Sequence, residues 1–256
     1  YRAAEKNADI PMMILSPTII NDQRALVISA SPASYLCFPY TGSNKGTLNY
    51  LMPDGVEYMR FFKDDGAANI DLPSAARLNA TYPYILPAAY LPTKPEMKIM
   101  DAGLKENHGF GMSTRFVNVF RRWIEKNTAG VIFIQIRSDK KLKKMDEKEE
   151  KSTFLNEMFL PFGNIYSNFL TQQDYNNDYF VAQLANSLSV PVHIIPFIYL
   201  PLVENKAASM SFHLTKGEKL DIVKAYDNEF NQASEAKLKK LLKVKDTNVK
   251  LQTMVW

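Results

Sequence analysis

Short apolar runs separated by turn residues characterise the first part of the chain. Residues 11–20 form a mainly apolar run, residues 21–24 are polar and turn-like, and residues 25–29 form a second apolar run. This order predicts two strands joined by a turn. Residues 31–71 have no sustained period and contain many Gly, Pro, Asn and aromatic residues. We therefore expect an irregular surface excursion there, such as a lid or a substrate-side loop.

Helical and strand signals alternate in the middle of the chain. Residues 72–80 predict a short helix, because proline suits a first turn and alanine favours helix. Pro83 ends it, since the residue before a proline avoids helical geometry. Residues 98–100 then predict a short strand that ends at Asp101.

A longer helix and a buried strand are predicted next. Residues 110–126 have helical spacing, and their large apolar side chains fall on one face. These side chains are Phe116, Val119, Phe120 and Trp123. The continuous apolar run 131–136 predicts a strand buried on both faces, as in a parallel sheet. Strand, helix and strand in this order predict a right-handed crossover within one sheet.

The last part of the chain is predicted to be mainly helical. Residues 154–188 have helical character, and the apolar run 190–200 predicts a strand whose two prolines favour an edge position. Thr215 followed by Glu218 predicts a capping box at a helix start. One helix to about residue 228 and another to about Leu242 would complete the fold.

Composition is that of an ordinary globular protein. The 256 residues are 46% hydrophobic and 23% charged, and the net charge is +4. So small a charge argues against a dedicated nucleic-acid binder. No apolar run reaches the length of a transmembrane helix. The mixed charges of residues 140–151 predict a solvated loop, with contact to an anionic membrane surface as the alternative.

The candidate chemistry lies in the loop after the predicted strand 98–100. An aspartate at a strand end, here Asp101, can act as a general base when a hydroxyl group lies within hydrogen-bond reach. Ala102 follows it, and Gly103 would let the backbone turn tightly. Asn107 could tie the loop through side-chain hydrogen bonds to backbone groups. These four residues are the predicted active-site turn.

Other chemically active residue types are few and scattered. The three histidines, His108, His193 and His213, lack metal-ligand spacing, so we expect no metal and no cofactor. His108 is interpreted as a loop histidine, with a catalytic role as the less favoured alternative. The single Cys37 excludes an intramolecular disulfide and is interpreted as a small buried or loop residue.

Two segments together resemble a catalytic segment of the patatin-like lipid acyl hydrolases. They are Met-Asp-Ala-Gly-Leu-Lys-Glu-Asn-His-Gly at 100–109 and Asn-Ala-Thr-Tyr-Pro-Tyr-Ile-Leu-Pro at 79–87. Segments 11–29 and 210–219 extend the resemblance over about residues 11–226. It implies a three-layer α/β/α domain that hydrolyses lipid esters with a Ser–Asp dyad. Asp101 matches the family aspartate, Gly103 matches its glycine, and Ala102 stands where glycine is common.

The chain departs from that family at the nucleophile. It contains no Gly-x-Ser-x-Gly sequence and no glycine-rich oxyanion loop; the nearest string, 42–46, has the wrong spacing. We therefore expect residues 1–256 to be the C-terminal part of one patatin-like α/β domain, with the serine upstream. Inserts are expected at about 31–70 and 138–152. The aromatic stretch 35–62 is interpreted either as an acyl-chain lid or as packing against the other half.

The resemblance also implies partners and a location. These are a lipid ester substrate, an upstream fragment of the same protein and a possible membrane surface, with no nucleic acid, in a bacterial cytoplasm or at a membrane. Two alternatives remain open. One is a degenerate, non-catalytic patatin-like domain that binds lipid or a protein partner. The other is an unrelated α/β binding domain.

Overall fold

The structure, a computed structural model, divides into two compact units. It describes residues 2–39, 51–81, 87–94, 96–138, 141, 154–203, 207–209 and 213–243, with side chains of the helix 154–187 described from residue 168 onward. The first unit comprises residues 1–129 and 148–190, and the second comprises residues 130–147 and 191–256. Helices and strands are mixed, as the α/β prediction requires at this coarse level. The prediction of one domain stays a prediction.

A six-stranded sheet forms the centre of the first unit. Its strands are β1 (Ile14–Leu15), β2 (Thr18–Ile19), β3 (Ala25–Ser29), β4 (Gly55–Glu57), β5 (Ala89–Leu91) and β6 (Met97–Met100). The order is β1-β3-β2-β6-β5, with β4 also paired to β3. All pairs are antiparallel except β3 with β4. The predicted strand–turn–strand and the strand that ends before Asp101 are both confirmed.

Six α-helices belong to the described part of the first unit. They are α1 (Arg2–Lys6), α2 (Tyr58–Phe61), α3 (Leu72–Asn79), α4 (Phe110–Val119), α5 (Arg121–Asn127) and α6 (Phe154–Ser187). The predicted helix at 72–80 is confirmed as α3, which begins where the Asp71 carboxylate accepts the Ser74 N–H. The predicted helix 154–188 is confirmed as α6.

Strand β3 is buried on both faces and joins two hydrophobic clusters. All five of its residues are buried. Leu26 and Ile28 belong to one cluster with Ile19, Phe62 and Ile99. Because side chains alternate along a strand, Ala25 and Val27 point into the other cluster with Leu36, Cys37 and Met112. The apolar run 25–29 is therefore a central strand.

The surface excursion predicted for residues 31–71 is wrong for the parts of that segment that the structure describes. Leu36, Cys37, Val56 and Phe62 are all buried in the two clusters of the first unit. The segment lacks a period because its elements are too short to show one: a 3-10 turn at Ser34–Leu36, β4 and α2. Cys37 is buried as expected, and that burial raises the pKa of its thiol to about 11.

The helix predicted at 110–126 is present, but it divides at Phe120 and buries a different face. Phe110, Met112, Val117 and Ile124 are buried, whereas Trp123 is 62% exposed. Helix α4 packs against α6 and against the Ser34–Leu36 turn, and these neighbours select the buried face. Of the predicted apolar face, Phe116 is partly buried against the cluster that contains Leu36 and Met112, whereas Phe120 and Trp123 are exposed.

Arg115 on α4 ties together two segments of the first unit. Its guanidinium binds both carboxylate oxygens of Asp54 at 2.7 Å and also donates to Leu36 O at 2.7 Å. Burial alone would raise the pKa of Asp54, but the paired Arg115 lowers it below its usual value. Lys105 adds a second cation, 3.6 Å from Asp54 Oδ2.

The residues of the second unit that the structure describes form a two-stranded parallel sheet and two helices. They are β7 (Val131–Arg137), β8 (Val192–Ile198), α7 (Lys216–Ala225) and α8 (Glu229–Leu242). The register runs from Val131 beside Val192 to Arg137 beside Ile198. The predicted strands, both helices and the Thr215–Glu218 capping box are confirmed. The Ser209 and Thr215 N–H groups lower the pKa of Glu218 to about 2.

Strand β7 differs from its prediction in two respects. It is not buried on both faces, since Ile134 is 56% and Ile136 80% exposed. The same-sheet crossover is also wrong, because β6 belongs to the six-stranded sheet and β7 pairs with β8. A sequence pattern reports apolar residues and does not report whether another layer of structure covers each face of the sheet.

Some predictions fall on residues that are not described. The charged run 140–151 and the predicted insert 138–152 lie almost wholly outside the described residues, as do most of the aromatic-proline segment 82–87 and residues 210–212. Within the described ranges, no helix combines the length and hydrophobicity that crossing a bilayer requires.

We predict that Asp54→Asn destabilises the first unit at neutral pH by about 1–3 kcal/mol, the typical range for a hydrogen bond to a charged group. The folded-state pKa of Asp54 is lowered, so its contribution is present above the unfolded pKa and is lost as pH falls through the folded pKa. Urea unfolding at several pH values should therefore show the difference from wild type shrinking in acid. The matched control is Asp22→Asn, whose exposed pair with Arg24 is expected to contribute at most about 1 kcal/mol. Equal losses from both variants would contradict the prediction.

Candidate functional site

The backbone of Asp101 is fixed at the point where β6 ends. Its N–H donates to Thr81 O at 3.0 Å, and its carbonyl accepts the Thr18 hydroxyl at 2.9 Å. Thr18 lies on β2 beside Met100, and Thr81 is fully buried after α3. Sheet and helix therefore hold this residue from two sides.

The Asp101 carboxylate is half-buried, and one of its two oxygens accepts a backbone hydrogen bond. Oδ1 accepts the Gly103 N–H at 2.7 Å, which caps the short 3-10 turn Ala102–Leu104. Oδ2 accepts no hydrogen bond from the part of the chain that the structure describes. Burial raises the pKa of this carboxyl, and the Gly103 N–H works in the opposite direction. The result is an aspartate with a higher proton affinity than usual and a second oxygen to which no described residue donates a hydrogen bond.

Glycine is required at 103 for space rather than for a left-handed turn. Gly103 is not among the positive-φ residues. A Cβ at this position would lie 2.7 Å from Asp101 Oδ1 and 3.0 Å from Asn107 Oδ1. The sequence analysis explained Gly103 by a tight backbone turn, and the structure gives a different reason. The Asp101 carboxylate and the Asn107 amide leave no room for a side chain at this position. Ala102 opens the turn, and its carbonyl accepts the N–H groups of Lys105 and Glu106.

The Gln173 side chain holds the loop from α6. Its Nε2 donates to Gly103 O at 3.0 Å, and its Oε1 accepts the Asn107 N–H at 2.7 Å. Gln173 is 7% exposed. Asn107 thus helps to tie the loop as predicted, but through its backbone N–H rather than through the side-chain bonds that the sequence suggested.

Sequence analysis missed Gln173, although a signal was present. Val181, Leu184 and Leu188 form the buried stripe of α6. Extending that stripe towards the N-terminus at spacings of three and four reaches Asn177 and then Gln173 and Asp174, which are also buried. Polar residues on the inward face of a helix need partners, and this is the signal that points to them.

His108 pairs with α6 rather than with Asp101 in the contacts that the structure gives. Its Nε2 lies 3.7 Å from Asp174 Oδ1, and both side chains are largely buried. Glu106 anchors the start of α4 by accepting the N–H groups of Gly111 and Met112, and burial raises the pKa of its carboxyl. The loop from 101 to 111 is therefore held at its two ends by the Asp101 and Glu106 carboxylates and from α6 by Gln173 and Asp174.

This arrangement can carry out general-base chemistry on a hydroxyl group brought to it. A desolvated carboxylate with one oxygen fixed and the other open has the geometry that proton abstraction needs. The Thr18 hydroxyl binds the backbone carbonyl of Asp101 and not its carboxylate. Among the described residues, no group of histidine, cysteine and carboxylate side chains could hold a metal ion.

A scan against family models, a search of curated proteins and a search of solved structures found no match for this chain.

We predict that Gly103→Ala destabilises the first unit by about 1–3 kcal/mol, the cost of forcing atoms into a packed site. The added Cβ would push against Asp101 Oδ1 and Asn107 Oδ1. Gly217→Ala is the control, because its Cβ would approach no atom closer than 3.9 Å and alanine favours helix α7. Thermal unfolding should show a loss for the first and no loss for the second. An unchanged melting temperature for Gly103→Ala would contradict the close packing of Asp101 and Asn107 around position 103.

We further predict that Gln173→Ala costs more than Gln172→Ala. The first removes two hydrogen bonds to loop backbone groups and leaves those groups unpaired, for about 1–3 kcal/mol. The second removes one exposed contact with Asn176 and should stay within about 0.5 kcal/mol. Amide hydrogen exchange at Asn107 gives a local readout and should accelerate only in Gln173→Ala. Equal exchange rates in the two variants would argue against a role for the two Gln173 hydrogen bonds in holding the loop.

Proposed function

We propose that Asp101 is the general base of a patatin-like Ser–Asp dyad that hydrolyses ester bonds of phospholipids or related lipids. The observation that carries the proposal is the Asp101 carboxylate itself, with Oδ1 fixed by the Gly103 N–H and with no described residue donating to Oδ2. Direct activation of a serine by an aspartate needs such a desolvated and oriented carboxylate. In this proposal the domain is the three-layer α/β/α type that the resemblance implies.

The nucleophilic serine comes from a polypeptide segment outside these 256 residues. The sequence contains no Gly-x-Ser-x-Gly, and no described hydroxyl donates to the Asp101 carboxylate. A general base without a nucleophile and without oxyanion donors cannot transfer an acyl group. The proposal therefore concerns the intact protein, of which Asp101 supplies one half of the dyad.

An exposed apolar segment near the loop suits a lipid substrate. Leu51 and Met52 are 44% and 78% exposed. Two residues later, Asp54 is paired with Lys105, which lies in the same loop as Asp101. The pair therefore connects this apolar segment to the loop of the proposed base, where an acyl chain would need apolar contact.

We predict that Asp101→Asn in the intact protein lowers kcat/KM for a lipid ester by about 10²–10⁴-fold, the usual contribution of a general base. An asparagine oxygen can still accept the Gly103 N–H, so the loop should keep its shape. Asp22→Asn, in an exposed turn, is the control and should leave the rate unchanged. Since the pKa of Asp101 is raised, the acid limb of the wild-type pH profile should lie above the usual aspartate range of about 4.

The same variant has a stability readout. The folded-state pKa of Asp101 is raised, so its contribution to stability is full below the unfolded pKa and is lost as pH rises through the folded pKa. At neutral pH the buried charge is thus unfavourable, and Asp101→Asn should raise the melting temperature, with the gain vanishing in acid. If Asp101→Asn kept the full rate of lipid-ester hydrolysis, the assignment of Asp101 as the general base would be refuted.

A fluorophosphonate probe separates this proposal from the non-catalytic alternative. Labelling of a serine in a Gly-x-Ser-x-Gly sequence that copurifies with residues 1–256, reduced by Asp101→Asn, would support the dyad. The absence of any labelled serine in a natively purified, folded sample would favour a degenerate lipid- or partner-binding domain.

A further inference from the structure

The side chain of Trp123 on α5 lies at the surface of the first unit. It is 62% exposed, whereas the next residue, Ile124, is only 7% exposed and anchors the helix in the interior. Within the described part of the chain, the indole has no ring contact and no hydrogen bond; only the backbone carbonyl of Trp123 accepts from Asn127. A single exposed apolar side chain is ordinary, so its surroundings decide whether it has a role.

A second exposed aromatic ring lies beside the indole on a rigid base. Phe120 is 39% exposed and precedes Trp123 by three positions, which places the two side chains next to each other. The Phe120 ring centroid lies 4.7 Å from that of Phe116 and 5.5 Å from that of Tyr35. Phe116 and Tyr35 pack in turn against a buried cluster of the first unit. The exposed aromatic pair is therefore fixed to the core.

Two cations flank the indole. Arg122 and Lys126 are exposed and lie one helical turn apart on α5. Within the described ranges, neither has an ion-pair or hydrogen-bond partner. The acidic residue of this helix, Glu125, is already engaged, because it binds Arg121 at 3.0 Å and accepts a backbone N–H at 2.9 Å. The helix thus presents two uncompensated positive charges beside an exposed indole.

This combination of side chains fits an anionic lipid surface better than other large partners. An indole has an apolar body and one N–H donor, which suits the boundary between hydrocarbon and headgroups. Lysine and arginine at that boundary are attracted by anionic lipid. The centre of a protein–protein interface is depleted in lysine, and a nucleic-acid binder has a more strongly basic face than two cations provide.

We propose that the Trp123 face, defined as Phe120, Arg122, Trp123 and Lys126, binds a bilayer that contains anionic lipid. The two rings enter the headgroup region, and the two cations lie beside the lipid phosphates. This contact uses other residues than the charged run 140–151. It also does not rest on the proposed hydrolase activity, because it uses no residue of the Asp101 loop.

The test is cosedimentation of the full 256-residue chain with vesicles of ether-linked phosphatidylcholine, with and without about a third of ether-linked phosphatidylserine. Ether lipids contain no ester to hydrolyse, so failure of the hydrolase proposal cannot affect the result. We expect each cation to contribute about fivefold, so that neutral vesicles bind about 25-fold more weakly than anionic ones. Added salt should reduce this difference.

Fluorescence gives a local readout of the same contact. The chain has two tryptophans, so Trp256→Phe leaves Trp123 as the remaining indole. Its emission should shift to shorter wavelength when anionic vesicles are added, because the indole leaves water for the headgroup region. An unshifted emission spectrum under conditions where the protein sediments with the vesicles would contradict insertion of this ring.

Two variants separate the apolar and charged contributions. Trp123→Ala should weaken binding to both kinds of vesicle by at least about tenfold, because it removes the most exposed apolar area of the face. Arg122→Gln combined with Lys126→Gln should weaken binding to anionic vesicles by about 25-fold and leave binding to neutral vesicles unchanged. All three positions are exposed, so the melting temperatures should stay close to that of the wild type.

Two matched controls come from the same unit. Tyr90→Ala removes an aromatic ring that is 58% exposed, but over which Lys98 already lies at 5.6 Å. Lys94→Gln removes an exposed lysine outside the Trp123 face. Both should bind anionic vesicles as the wild type does.

Four results would overturn the proposal. Equal affinity for neutral and anionic vesicles would remove the role of the cations. Unchanged binding in Trp123→Ala, or in the double charge variant, would place the contact elsewhere in the chain, such as in residues 140–151. Absence of binding to either vesicle would exclude the lipid surface. If the chain then self-associated with rising concentration and Trp123→Ala abolished this, a second copy would be the partner of the face.

Discussion

The Gln173 side-chain amide holds together the loop on which the candidate site depends. It accepts from Asn107 and donates to Gly103, and so closes a five-residue loop between two backbone groups. Gly103 in turn donates to the Asp101 carboxylate. Buried side-chain amides that are fully paired are rigid, because any movement leaves a donor or acceptor unpaired. The orientation of Asp101 is therefore set in part by a residue 72 positions later in the chain.

The buried carboxylates of the first unit have pKa values shifted in opposite directions. Asp54 is buried together with a bidentate arginine, and its pKa is lowered. Asp101 and Glu106 accept hydrogen bonds from backbone N–H groups, and burial raises their pKa values, although Arg115 and Lys105 act in the opposite direction on Glu106. The paired carboxylate stabilises the fold at neutral pH, whereas a desolvated one costs stability and gains basicity. Such a cost is common where a residue serves chemistry rather than folding.

The second unit presents a comparable contrast on a different scaffold. A two-stranded sheet buries Gln135 and Arg137 on one face and exposes Ile134 and Ile136 on the other. For these residues of β7 this reverses the usual arrangement of a folded domain, although Ile195 of β8, beside Ile134, is fully buried. No contact in the described structure accounts for the exposed isoleucines.

The sequence alone determined the elements whose signals are local. The strand at 25–29, the strand ending at Asp101, helices α3, α6, α7 and α8, and the Thr215–Glu218 capping box all follow from period, proline position and capping chemistry. The same local reading placed Asp101, Ala102, Gly103 and Asn107 in one turn. Each of these signals acts over a few residues, which is why a single sequence contains it.

Only the tertiary structure decided which faces are buried and what holds the turn. The buried side of α4 is set by α6 and the Ser34–Leu36 turn. Trp123 on α5 is exposed, although its spacing placed it on one apolar face with Phe116. The need for glycine at 103 comes from two oxygens that approach it in space, and the clamp comes from Gln173 on a distant helix. Strand β7 leaves Ile136 exposed because burial of a strand residue depends on whether another layer packs on its face of the sheet. All of these are contacts between residues far apart in the chain, and the sequence pattern within any one element does not contain them.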